Sequence, residues 1–444
     1  MRTLSLLVVF SVAVHAQPAP DLEPDLEGEW EGLVEMPGAT LAMTLTLNHE
    51  DGQWGGTVDV PAYTIDGMPV AVTHLDADSL HVELMGGSAT LAGRFEESGS
   101  AVSGTVRQGT SEGAFVLARP GSPDAVEIAL QLAAWEVEPS AHPDSARIVT
   151  EDIPRFWAAY DASTPETRVA ALQRDYFDPG SPGLDDFLGL KIGSVERMAA
   201  VLDRRPRFYA SIRSSTLRAH EAEPAVRAAF RRMEALYPDA VYPDVYFLIG
   251  GMSAGGTASR RGLLIGTEFF SRTPEMPEDE LTDWHRAVLA PVETLPLIVA
   301  HELIHYLQDL DMLDRTLLNR ALLEGSADYL GRLISEDGRA MNDHIYAWAD
   351  PQEEAVWCAF EAEMDGSDTA DWIANGGRPA DRPAGLDYAD LGYYVGHQIS
   401  EAYHEQARAA GQSDAEVVRD ILHIDDAKAF LDASGYAERF ACDG

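Results

Sequence analysis

The chain has 444 residues, too many for one ordinary core; at roughly 100–200 residues per domain it should hold two or three units. Its 74 acidic residues against 32 basic ones leave a formal charge of −42. That balance excludes nucleic acid as a partner, because phosphate binding needs clustered Lys and Arg.

The acid is spread along the chain without a block of like charge, which reads as a solubility feature whose self-repulsion salt would screen. No D-x-D-x-D-G loop is present to turn it into calcium sites, and Asp309, Asp311 and Asp314 read as a solvated helix end.

In chain order, residues 1–16 (MRTLSLLVVFSVAVHA) combine a basic start, an apolar run and a small-residue end, the pattern of a secretory signal peptide cut before Gln17. The apolar run is too short to span a bilayer, and no later run reaches about 18 residues, so no transmembrane segment is expected. The mature protein is expected to be secreted, whether periplasmic or extracellular.

Residues 17–120 carry short alternating segments, among them LAMTLTL at 41–47, SLHVEL at 79–84 and GAFVLAR at 113–119, separated by Gly, Asp and Ser. Strands at this spacing predict an all-β module, an antiparallel sandwich or a closed barrel, with Trp30 and Trp54 in its core. Residues 121–147 are rich in proline and read as a linker around one short helix, AVEIALQLAAWEV. From residue 148 to 444 the spacing turns helical, predicting a second, mainly α (α+β) domain. Its exception is VYFLIGGMSAGGTASRRGLLIGTEFF at 245–270, two apolar runs joined by a glycine-rich loop and expected to form a hairpin. Cys358 and Cys442 are the two cysteines, and in an oxidising compartment they would form one bridge holding the C-terminal tail; the other reading is two free buried thiols.

The stretch Leu295 to Gln308, LPLIVAHELIHYLQ, puts two histidines and a glutamate into an apolar helix. Pro296 suits the first turn, Thr294 or Glu293 would cap it, and the run from Leu297 to Leu310 has no breaker. His301 and His305 are four apart and leave one face of the helix, able to converge on one ion. Glu302 points about 100° away, within reach of an attacking water without ligating. Eighteen residues after His305, a second helix in LLNRALLEGSADYLGRLISE brings Glu324, with Asp328 one turn later. Two His and one Glu are a known catalytic zinc set, and Asp328 is placed to take the other ring N–H of a histidine. Gly325 in the middle of this helix suggests close approach of a neighbour.

HELIH, eighteen residues and then LLEGSADY resemble the gluzincin metallopeptidases, closest in spacing to the aminopeptidase N-like branch. The segment from about 150 to 444, with FWAAYD, YASIR and DLGYYVGHQI, is similar to a group of predicted bacterial zinc-dependent proteases of unassigned substrate. The opening GEWEGLVEMPG and closing GAFVLARP resemble lipocalin-like β-modules set ahead of exported enzymes. The resemblance implies a zinc metalloprotease, a hydrolase acting on peptide or protein substrates. His301, His305 and Glu324 would ligate Zn2+, Glu302 would be the general base, and Asp328 would orient a histidine. Tyr393, in GYYVGHQI, would stabilise the oxyanion, with Tyr394 and His397 as rivals. The aminopeptidase branch reads a free amine with a glutamate in a G-x-M-E-N loop. GGMSAGGTAS has no acid, leaving endo- and exopeptidase both open, while Gly255, Gly256 and Thr257 would pair with an extended substrate through the backbone. Two alternatives stand beside this reading: an inactive zinc-containing binding protein, and an apolar-ligand carrier working through its β-module.

Overall fold

The computed structural model describes residues 26–36, 39–50, 52–60, 65–96, 99–108, 111–135, 139–259, 261–310, 314–336, 338–376, 382–383 and 385–442. The expected signal at 1–16 lies outside them, as does Asp311.

Eight strands form a closed barrel: β1 (Gly28–Met36), β2 (Ala39–Glu50), β3 (Gln53–Val60), β4 (Ile65–Leu75), β5 (Ser79–Leu84), β6 (Ala89–Phe95), β7 (Ala101–Gln108) and β8 (Ser111–Ala118). Each is antiparallel to the next, and β1 closes on β8 with Glu31 opposite Ala118. Of barrel and sandwich, the chain forms the barrel, which leaves no free sheet edge. Side chains of alternating positions fill the interior: Trp30, Leu45, Val58, Val82, Leu91, Val102 and Leu117 are all fully buried. Arg119 sits 4.3 Å from the centre of the Trp30 ring, while Trp54 is only partly buried against this core, stacked on His49.

The helix expected within a linker spans Pro123–Trp135 and belongs to the barrel. Its Ala125 and Ile128 cover Leu33, Ala101 and Ala118, the outward residues of three strands. Apolar residues on the outer face would otherwise meet water, so this amphipathic segment has a surface to bury against.

The rest of the chain is mainly helical around one small sheet of four strands, β9 (Ile148–Val149), β10 (Asp244–Leu248), β11 (Gly256–Ser259) and β12 (Gly262–Gly266), ordered β11–β12–β10–β9. Here the expected hairpin is corrected. The two apolar runs, β10 (Asp244–Leu248) and β12 (Gly262–Gly266), lie parallel, with β9 (Ile148–Val149) parallel on the far side of β10. The antiparallel partner of β12 is the weakly apolar β11 (Gly256–Ser259). Every residue of β10 and β12 is buried, as strands covered on both faces must be. The loop from β10 to β11 is held by Glu268, whose Oε1 accepts the N–H groups of Gly250 and Met252, both at 2.9 Å. Burial pushes this carboxyl up to about 7.

Cys358 and Cys442 form a disulfide across 84 residues, tying the tail to helix Glu353–Glu361. Replacing both by Ser should lower unfolding stability by roughly 2–5 kcal/mol. Denaturant titration checks this, and a midpoint unchanged from the native chain would show that the bridge adds nothing. No helix among the described residues is long and apolar enough to cross a membrane.

Candidate metal centre

The helix carrying HELIH spans Leu295–Leu307 and is buried over most of its length. Its start uses Pro296 in the first turn, and Thr294 turns its hydroxyl to the Pro291 carbonyl rather than capping the helix. It stops three residues short of the expected Leu310. Gln308 adopts extended backbone, and its side chain donates to the Leu323 carbonyl and the Ser326 hydroxyl, each at 2.8 Å. Bonds to the next helix thus replace the last turn.

That next helix, Leu317–Ile334, begins at Thr316, whose hydroxyl accepts from the Asn319 N–H. Packed across it is the long helix Leu391–Ala409. The two approach so closely that a Cβ on Gly325 would lie 2.2 Å from the His397 backbone nitrogen, and one on Gly396 would lie 1.7 Å from the Ala321 carbonyl oxygen. The glycines are therefore what let Glu324 and Tyr393 face one cavity.

His301, His305 and Glu324 come together, their ligand atoms all within 4.8 Å of one another. The two Nε2 atoms are 3.0 Å apart, and Glu324 Oε2 is 3.3 Å from His305 Nε2 and 3.7 Å from His301 Nε2. Both Nδ1 atoms are engaged by oxygen. His301 Nδ1–H donates to Asp328 Oδ1 at 2.8 Å, and His305 Nδ1–H donates to Gln308 Oε1 at 2.7 Å. With both Nδ1–H groups donating, each ring turns its Nε2 toward the other and toward Glu324, where it can hold either a shared proton or a metal ion. A tetrahedral ion with N and O ligands at about 2.0–2.2 Å would space its donors by about 3.3–3.6 Å; the separations of 3.0, 3.3 and 3.7 Å bracket that spacing to within about 0.3 Å, so the residues present fit a zinc ion.

Asp328 is buried and held in turn, its Oδ2 accepting from Asn342 Nδ2 at 2.8 Å and from the Tyr346 hydroxyl at 2.6 Å. Sequence reasoning missed Gln308, Asn342 and Tyr346. Gln308 had a signal, its place three residues after His305; the other two are brought in by a turn and had none.

Glu302 is 6 % exposed, lines the same cavity, and makes no hydrogen bond or ion pair among the described residues. Burial holds its carboxyl above the usual range, against the pull of His305 and His301. Backbone passes close by: a Cβ on Gly256 would lie 2.4 Å from Glu302 Oε1. Gly255, Gly256 and Thr257 line the cavity, and β11 is the edge strand of its sheet.

Of the three rivals near residue 393, Tyr393 lines the cavity and stacks on His301 with ring centres 6.4 Å apart. Burial, then the charge of Glu324, keeps its phenol protonated well above the ordinary value. Tyr394 is fully buried and accepts from Gln398 Nε2. His397 packs on Tyr329 and Tyr346, where burial pushes its imidazole down to about 4. Neither is among the residues lining the cavity, so the structure does not bring them to the His301, His305 and Glu324 cluster.

Comparison of the chain with family models, with curated proteins and with solved structures finds no match.

A zinc ion held by this cluster should bind about 10- to 100-fold more weakly in Gln308→Leu, because His305 loses the acceptor that fixes its tautomer and ring plane. Competition against a chromophoric chelator measures this; equal affinity would assign Gln308 to helix packing alone.

Proposed function

We propose that the chain is an exported zinc-dependent peptidase of gluzincin type, with Glu302 as general base. The observation that carries this reading is the pair of imidazoles whose Nε2 atoms converge beside Glu324 while both Nδ1 atoms are engaged. When bound, zinc supplies Lewis-acid polarisation of the scissile carbonyl and makes water a usable nucleophile near neutrality.

The chain's own residues supply the rest. An extended substrate lies along the free edge of β11, its backbone held by Gly255 to Thr257. Glu302, raised in pKa and free of structural partners, takes the proton of the attacking water and passes it to the leaving nitrogen. The protonated Tyr393 hydroxyl donates to the developing oxyanion, a role worth on the order of 10²-fold in rate. Asp328 and Gln308 keep both imidazoles in the ligating tautomer.

Against an inactive zinc-binding protein stands Glu302 itself, a buried carboxylate for which a ligand-only site has no use. Against apolar-ligand transport by the β-module stands the barrel interior, filled by Trp30, Leu45, Val58, Val82 and Leu91.

The test is metal content by mass spectrometry, then cleavage of a mixed peptide library with and without chelator. About one zinc per chain and cleavage abolished by chelation and restored by zinc are expected. A metal-free chain, or cleavage indifferent to the chelator, would overturn the reading.

A further inference from the structure

The cavity holds a positive charge that hydrolysis does not use. The chain has two lysines, Lys191 and Lys428. Lys428 is an exposed residue paired with Asp365 at 2.8 Å. Lys191 is partly buried, lines the cavity with Glu302 and Gly256, and makes no hydrogen bond or ion pair among the described residues. It acts on Glu302 only through space, more weakly than His305 or His301. An ammonium has three N–H donors and is costly to leave unpaired away from bulk water.

The local backbone is built to present this residue. Lys191 lies in a π-helical turn, Leu188–Ile192, closed by the Gly193 N–H donating to the Leu188 carbonyl at 2.7 Å and ended by Gly193 at φ 86°. Such turns are rare and concentrate at functional sites. Its neighbour Leu190 packs against the barrel core as well as the main core, so the barrel helps to hold the lysine in place.

Two features say what the ammonium meets. The chain carries −42 and the cavity is lined by Glu302, Glu324 and Asp390; the Glu324 and Glu302 carboxylates would offset the charge of a zinc ion between them, leaving Lys191 as the cation with which an anionic ligand pairs. Asp390 has a structural use, exchanging hydrogen bonds with Asn375 at 2.8 Å in both directions; Lys191 has none. The cavity measures about 360 Å³, at the small end of the roughly 300–1,000 Å³ seen for ligand sites, which suits a short peptide with its terminus inside.

We propose that Lys191 binds a carboxylate of the substrate, so that the site takes short peptides whose α-carboxylate or acidic side chain lies next to the bond that is cut. This rests on the peptidase reading.

Binding is measured by calorimetry on the full zinc-loaded Glu302→Gln chain. The probes are acetyl-Ala-Phe-Ala as free acid, the same peptide as C-terminal amide, acetyl-Ala-Phe-Asp-amide, and unacetylated Ala-Phe-Ala-amide. The free acid should bind roughly 10- to 100-fold more tightly than its amide. Lys191→Gln should abolish the difference, and Lys191→Arg should retain part of it. Tight binding of the Asp-amide would name the side chain as the source, and its failure beside a tight free acid would name the α-carboxylate. Equal binding of acid and amide, a preference that survives Lys191→Gln, a preference that follows the free amine instead, or no binding of any probe would each overturn the proposal. Cleavage of the same peptides by the native chain is scored separately: selective binding without cleavage removes the peptidase reading and leaves the carboxylate site.

Discussion

Glu302→Gln is expected to bind zinc as tightly as the native chain and to hydrolyse peptides about 10²- to 10⁴-fold more slowly. The substitution keeps the size and shape of a side chain that lies beside Gly256 with no room to spare. It removes only the capacity to accept and return a proton. Glu302 is outside the His301, His305 and Glu324 cluster, so metal content should not change. Folding should also be unaffected, since the carboxylate has no hydrogen bond or ion pair to lose. Zinc stoichiometry, thermal unfolding and single-turnover cleavage are the three measurements. Undiminished turnover in a zinc-loaded variant would remove Glu302 from the chemistry.

Gly396→Ala should be the most damaging alanine substitution among the described glycines. Its Cβ would lie 1.7 Å from the Ala321 carbonyl oxygen, which is backbone inside a helix and has no rotamer to yield. The helices Leu317–Ile334 and Leu391–Ala409 must then separate, at a cost of about 1–3 kcal/mol or more for overpacking. Because Glu324 sits on one helix and Tyr393 on the other, the shift also widens the cavity. The expected result is a lower unfolding midpoint together with weaker zinc binding and loss of cleavage. Serine at a distant exposed glycine such as Gly411, where no atom lies within 4 Å of a built Cβ but φ is 97°, serves as the comparison: it should cost stability through backbone strain alone and leave zinc affinity untouched. Native-like unfolding of Gly396→Ala would show that the two helices yield more easily than their contact suggests.

The extent to which each element was legible follows from how local its cause is. Alternation in segments such as SLHVEL needs only two-residue periodicity, and those segments are the barrel strands. The same local signal misled at 245–270. Two apolar runs around a glycine-rich loop look like a hairpin, yet both are interior strands running parallel, and the true antiparallel partner is the unremarkable Gly256–Ser259. Hydrophobicity reports burial on both faces, and burial does not encode strand direction. Helix ends were read less well than helix existence. The HELIH helix stops at Leu307 because Gln308 finds Leu323 and Ser326, partners on another helix.

The sequence by itself determined that His301 and His305 share one helix face, that Glu302 stands apart from them, and that a second helix carries Glu324 and Asp328, because helical geometry converts spacing directly into direction. Only the tertiary structure decided that Gln308, Asn342 and Tyr346 fix the imidazoles and their carboxylate, that Tyr393 rather than Tyr394 or His397 lines the cavity, and that one of the two lysines faces it. Those choices depend on how closely two helices cross at Gly325 and Gly396 and on a turn packed against the barrel, distances that no periodicity along the chain contains.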